Sequence, residues 1–85
     1  MNVVNVRITG RPEGECLCVV AFDLESEDFR YRVTNLRIIE NDKGRFLAMP
    51  SIRTNSGWKD IFYPCDRRTR DYIERIVLDH YKNNL

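Results

Sequence analysis

Eighty-five residues, 42% hydrophobic and 32% charged, fit one small domain over residues 1–85 with a modest core, and a formal net charge of +1 excludes a uniformly basic polyanion binder. No apolar run approaches the ~20 residues that cross a bilayer, and the start MNVVNVR lacks a signal-peptide layout, so a cytoplasmic protein without membrane association is expected. Three cysteines without C-x-x-C spacing and a single His80 give no metal-ligand pattern, and no metal or other cofactor is expected.

The first two thirds read as strands. Val4, Val6 and Ile8 alternate with Asn5 and Arg7, predicting a first strand with one wet face. Gly10-Arg11-Pro12-Glu13-Gly14 is turn chemistry. CLCVVAFDL (16–24) is a denser apolar run that predicts a strand covered on both faces, with Cys16 and Cys18 on one face as buried reduced thiols. The acidic stretch 25–28 turns the chain, and Phe29, Tyr31 and Val33 then alternate with Arg30, Arg32 and Thr34 as a half-buried strand. After Asn35 the phase slips, and Leu36 and Ile38 take the apolar positions. One slipped residue in a continuing strand predicts a β-bulge.

Asn41-Asp42-Lys43-Gly44 predicts a tight hairpin turn, and 45–49 returns as the partner strand, stopped by Pro50, which has no N–H for a ladder. FLAMPSIRTNSGWKDIFYP (46–64) then sets two short apolar runs around a polar loop carrying Ser51, Arg53, Thr54, Asn55, Ser56, Trp58 and Lys59. The last third predicts a helix: Pro64 bars an earlier start, Asp66 is a good N-cap, and Tyr72, Ile73, Ile76, Val77 and Tyr81 recur at helical spacing. Asp71 with Arg75 and Glu74 with Leu78 fall on its exposed side. The fold class is α+β: a small, mostly antiparallel sheet of four to five strands with one C-terminal helix.

Charge is unevenly spread. Residues 12–28 hold six acids and no base, whereas residues 29–59 hold seven bases against two acids. Such asymmetry predicts one positive face, or solvated strand edges without a partner. Arg67, Arg68 and Arg70 crowd the first helical turn, where the positive end of the helix dipole disfavours cations. Either an anion sits nearby or Asp66 and Asp71 neutralise them.

At these residues a family resemblance emerges. FLAMPSIRTNSGWKDIFYP followed by TRDYIERIVLDHY (69–81) resembles the stage V sporulation protein G (SpoVG, septation regulator) family. Ala48-Met49-Pro50-Ser51, Arg53-Thr54, Gly57, Asp60-Ile61 and Pro64 fall in register with its central motif, as do Thr69-Arg70, Ile73, Val77 and Tyr81 with its helix; Val6-Arg7-Ile8 and NLRIIEN (35–41) are also similar. The resemblance spans nearly the whole chain. It implies a homodimer formed by strand pairing and a DNA- or RNA-binding role in gene regulation, septation and sporulation in bacteria. By matching position it carries Arg53 and Arg70 over as nucleic-acid contacts, with Lys59 at a usually basic position. Ile52 stands where a base is usual, Tyr63 replaces a His, and the acidic stretch 25–28 is more negative than in the family.

The candidate contacts to a phosphate backbone are therefore Arg53, Thr54, Lys59, Arg67, Arg68 and Arg70. Trp58 is either a platform for an unpaired base or a lid over the core or a dimer contact. The alternative is a dimeric protein-interaction module. No nucleophile–base pair is evident, Asp60 reads as a strand-end hydrogen-bond acceptor, and neither catalysis nor a small-molecule substrate is expected.

Overall fold

The computed structural model describes residues 2–84 and divides the strand-forming region into two separate antiparallel sheets. β1 (Asn2–Gly10), β2 (Cys16–Glu25), β3 (Arg30–Asn41) and β4 (Gly44–Ala48) pair in the order β1-β2-β3-β4. β5 (Ser51–Thr54) and β6 (Gly57–Asp60) form a hairpin of their own, and α1 (Arg67–Asn83) closes the chain. Every strand pairs with its neighbour in sequence, which short turns favour. The α+β class is as expected from the sequence.

The segment expected to be a polar loop is instead the β5–β6 hairpin. Thr54 Oγ1 accepts from the Ser56 N–H at 3.2 Å and donates to the Gly57 carbonyl at 2.7 Å, tying the turn from within. Gly57 takes φ +110°, a conformation that side chains other than hydrogen resist. The Ile61 N–H donates to the Pro50 carbonyl at 2.9 Å and closes the base.

The slip after Asn35 is a bulge. Val20 pairs with Leu36 but Phe22 with Val33, so β3 spends an extra residue there, and Asn35 has φ 64°. The same device occurs in β1, where the sequence alternation concealed it. Val4 pairs with Asp23 but Arg7 with Ala21, and Asn5 has φ 53°. The phase changes there, so Val3 and Val6, not Val4 and Val6, turn toward the core, while Ile8, although paired with the core residue Val20, is exposed. The expected Val4, Val6, Ile8 face does not exist, because asparagine tolerates the left-handed conformation that resets the phase. A further shift in β2 sets Cys18 against Ile38 and Cys16 against Ile39. The two thiols therefore lie on opposite faces, Cys18 buried and Cys16 half-buried, while Cys65 is exposed.

The core face of the sheet contributes Val3, Val20, Phe22, Leu36, Ile38 and Leu47, against which α1 lays Ile73 and Val77. Phe29 and Tyr31, expected on a half-buried strand, are 64% and 60% exposed. α1 makes its main contacts with β1 and β4, not with the start of β3, which leaves these rings uncovered. No helix among the described residues is long and apolar enough to cross a membrane.

Candidate functional site

Strand alternation sorts the predicted contacts before any longer-range packing does. In the hairpin Arg53 pairs with Trp58 and Ser51 with Asp60, whereas Ile52 pairs with Lys59. Successive side chains of a strand point to opposite faces, so Arg53, Trp58, Ser51 and Asp60 share one face and Lys59 lies on the other with Ile52. Thr54 has its hydroxyl engaged in the turn.

The face bearing Trp58 is turned toward the outer side of the main sheet. There Val19, Arg37 and Ala48 form one row across β2, β3 and β4, placed outward because the Asn35 bulge points Leu36 and Ile38 inward. Arg37, Phe46, Trp58, Asp60 and Arg70 line the resulting groove of about 450 Å³. Trp58 is 67% exposed above it.

Arg70 reaches this groove from α1. Asp66 caps the helix, its Oδ1 accepting from the Thr69 N–H at 2.8 Å, and that hydrogen bond together with the Arg68 charge holds its carboxyl below the ordinary 3.8. One turn in, Arg70 Nη2 donates to the Leu47 carbonyl at 3.0 Å, and Glu74 Oε2 accepts from the Leu47 N–H at 2.9 Å. Glu74 is thus an anchor to the edge of β4, not the surface pair with Leu78 that helical spacing suggested. Glu74 also lines a second, open groove of about 880 Å³ along the flank of α1, with Arg67, Arg68, Asp71 and Arg75. The clamp on Leu47 stands between the two grooves.

Ion pairing separates the arginines into two sets. Arg7 and Arg32 pair with Asp23, Arg30 with Glu25, and Arg45 with Glu40. Arg32 Nε and Asn5 Nδ2 each donate to the buried Asp23 carboxylate at 3.1 Å, and these bonds hold its pKa below the ordinary 3.8. By contrast, among the described residues none of Arg37, Arg53, Lys59, Arg67, Arg68 and Arg70 has a carboxylate within 4.0 Å. The paired arginines lie on β1, β3 and β4 of the main sheet, whereas unpaired ones occur at the middle of β3, the hairpin and the start of α1, and also at Arg11 in the β1–β2 turn and Arg75 further along α1.

The fold therefore gathers some predicted residues and separates others. Arg53 and Trp58 share the hairpin face, Arg70 lines the groove beneath Trp58, Arg67 and Arg68 line the adjoining groove, and Lys59 is on the reverse of the hairpin. Sequence reasoning passed over Arg37, Phe46 and Glu74. Arg37 could have been found from the phase slip at Asn35, which sets it outward between two core residues; Glu74 had no such signal.

A SpoVG family model matches residues 1–83 of the chain. Three similar bacterial proteins each bear the description "Putative septation protein SpoVG". That of Lachnospira eligens is 36% identical, covering 96% of this chain and 92% of its own length. That of Clostridium perfringens strain SM101 is 37% identical, covering 96% and 90%. That of Agathobacter rectalis is 33% identical, covering 100% and 97%.

Proposed function

The chain belongs to the SpoVG family, and from that premise we propose that it is a homodimeric nucleic-acid-binding regulator with a role in septation and sporulation. It grips the phosphate backbone of DNA or RNA through the Arg53 face of the hairpin and through Arg67, Arg68 and Arg70 at the start of α1, with Thr54 and Lys59 at the margin. One observation carries the proposal: these cations, at the hairpin and the start of α1, lack carboxylate partners among the described residues, while Arg7, Arg30, Arg32 and Arg45 of the main sheet are paired. Unpaired guanidinium groups at separated points suit a polyanion, whose binding releases condensed counterions. The dipole of α1 adds positive potential at the same end.

Dimerisation by strand pairing has a geometric constraint. Arg70 and Glu74 occupy the outward backbone groups of Leu47 on β4, so pairing between copies would use the β1 edge or the hairpin. Sedimentation should give twice the 10.1 kDa chain mass.

Fluorescence anisotropy with labelled single-stranded and duplex oligonucleotides tests the binding. Affinity should fall steeply between low and high salt and drop further in the Arg53→Ala, Arg68→Ala double variant. Affinity indifferent to both would defeat the proposal. A second reading, a protein-interaction module, is favoured by the exposed Phe29 and Tyr31 rings, whose centroids lie 6.4 Å apart. Purified protein with an A260/A280 ratio free of nucleic acid, and a stoichiometric protein partner, would favour that reading.

A further inference from the structure

On the nucleic-acid reading just given, we propose that the groove between Trp58 and the outer face of the main sheet receives one unpaired guanine base of a single strand. The groove's volume of about 450 Å³ lies within the roughly 300–1,000 Å³ typical of small-molecule sites. Two aromatic rings line it, Trp58 and Phe46, both left exposed by the fold. A ring in this position offers a stacking surface to any base, but only to one that is not already stacked inside a duplex.

The groove's charges select further. Arg37 and Arg70 are available to the phosphates on either side of a seated base; Arg70 spends one N–H on the Leu47 carbonyl and keeps four more. Asp60 is the informative residue. It stands on the same hairpin face as Trp58, lines the same groove, and takes part in no ion pair among the described residues. A groove built for phosphate alone would be weakened by a carboxylate, which repels the backbone. An ionised carboxylate is acceptor-only, with two oxygens side by side. Guanine is the base whose pairing edge presents two adjacent N–H donors, at N1 and N2, in matching geometry. Adenine and cytosine offer one amino group beside a ring acceptor that a carboxylate repels. In a duplex those guanine donors are already taken by cytosine, so the site reads unpaired guanine.

Trp58 is the single tryptophan of the chain, so its fluorescence reports on the groove directly. The full chain is titrated with short labelled oligothymidylate, the same strand with one central guanine, and the corresponding duplex, following strand anisotropy and Trp58 emission together. The guanine strand should quench Trp58 and bind about tenfold tighter than oligothymidylate, the discrimination typical of one good bidentate contact. The duplex should leave Trp58 emission unchanged. Asp60→Asn should abolish the guanine preference while oligothymidylate affinity holds or rises. Equal affinity for the two single strands in the unaltered protein overturns the inference, as does a guanine preference that survives Asp60→Asn. In both cases anisotropy still registers binding, so the backbone-binding proposal stands. If no strand changes anisotropy at any salt, both fail together.

Discussion

Arg70 and Glu74, one turn apart on α1, take the two outward backbone groups of Leu47, one at the carbonyl and the other at the N–H. Leu47 is fully buried, so its N–H has no recourse to water. Glu74→Ala should destabilise the fold by about 1–3 kcal/mol, the cost of an orphaned buried donor. In thermal unfolding by circular dichroism, each kcal/mol lowers Tm by roughly 4–8 °C for a domain of this size. Glu74→Gln keeps an acceptor oxygen and should recover most of the loss. An unchanged Tm in Glu74→Ala would remove the clamp from the account. Arg70 shares the clamp, so its variants mix stability with binding, and Arg53 or Arg68 is the cleaner functional probe.

Asp23 makes stability depend on acid. Its folded pKa is depressed, first by the hydrogen bond from Arg32 and then by that from Asn5. The ionised carboxylate therefore stabilises the fold above the ordinary value of 3.8, and that contribution disappears as pH falls through the lower folded value. Asp23→Asn should lower stability near neutral pH and flatten the decline below pH 4, measured by urea denaturation at a series of pH values. Parallel pH curves for the two proteins would contradict this assignment.

Gly10 lies against Val19 so closely that an added Cβ would stand 2.7 Å from the Val19 Cβ. Gly10→Ala should cost about 1–3 kcal/mol through overpacking. Val19→Ala in the same chain should return part of it, because the atoms that clash are Val19's own. A double-mutant cycle in urea denaturation measures the coupling, and simple additivity would show that the strand relaxes instead.

Phe29 and Tyr31 are apolar by type but not by burial. Serine at both positions should change stability little, within about 0.5 kcal/mol per residue. Phe22, with no exposed surface, should cost about 3–5 kcal/mol as alanine. Comparable losses in the two experiments would mean that α1 or another copy covers the start of β3.

Much of the fold was legible because local chemistry agreed with it. Asn35 announced its bulge through a visible change of apolar phase, Asp66 its cap, and Asn41 to Gly44 their turn. Asn5 announced nothing, since Val4, Val6 and Ile8 continue to alternate in letters while the backbone has already reset. Cys16 and Cys18 were likewise parted by a bulge that spacing cannot reveal. The exposure of Phe29 and Tyr31 follows from where α1 packs, on β1 and β4 and away from the start of β3, a tertiary fact. For the site, Arg53 and Arg70 were legible from motif position. Their separation from Lys59 required the β5–β6 register, and the anchoring role of Glu74 required the contact with Leu47.

The most direct test is the salt dependence of oligonucleotide binding in single variants. Plotting log affinity against log salt concentration, Arg53→Gln and Arg68→Gln should each reduce the slope by about 1, the loss of one phosphate contact, while Lys82→Gln in the last turn of α1 should leave it unchanged. Identical slopes in all four proteins, including the unsubstituted chain, would contradict a phosphate-binding surface at the hairpin and the start of α1.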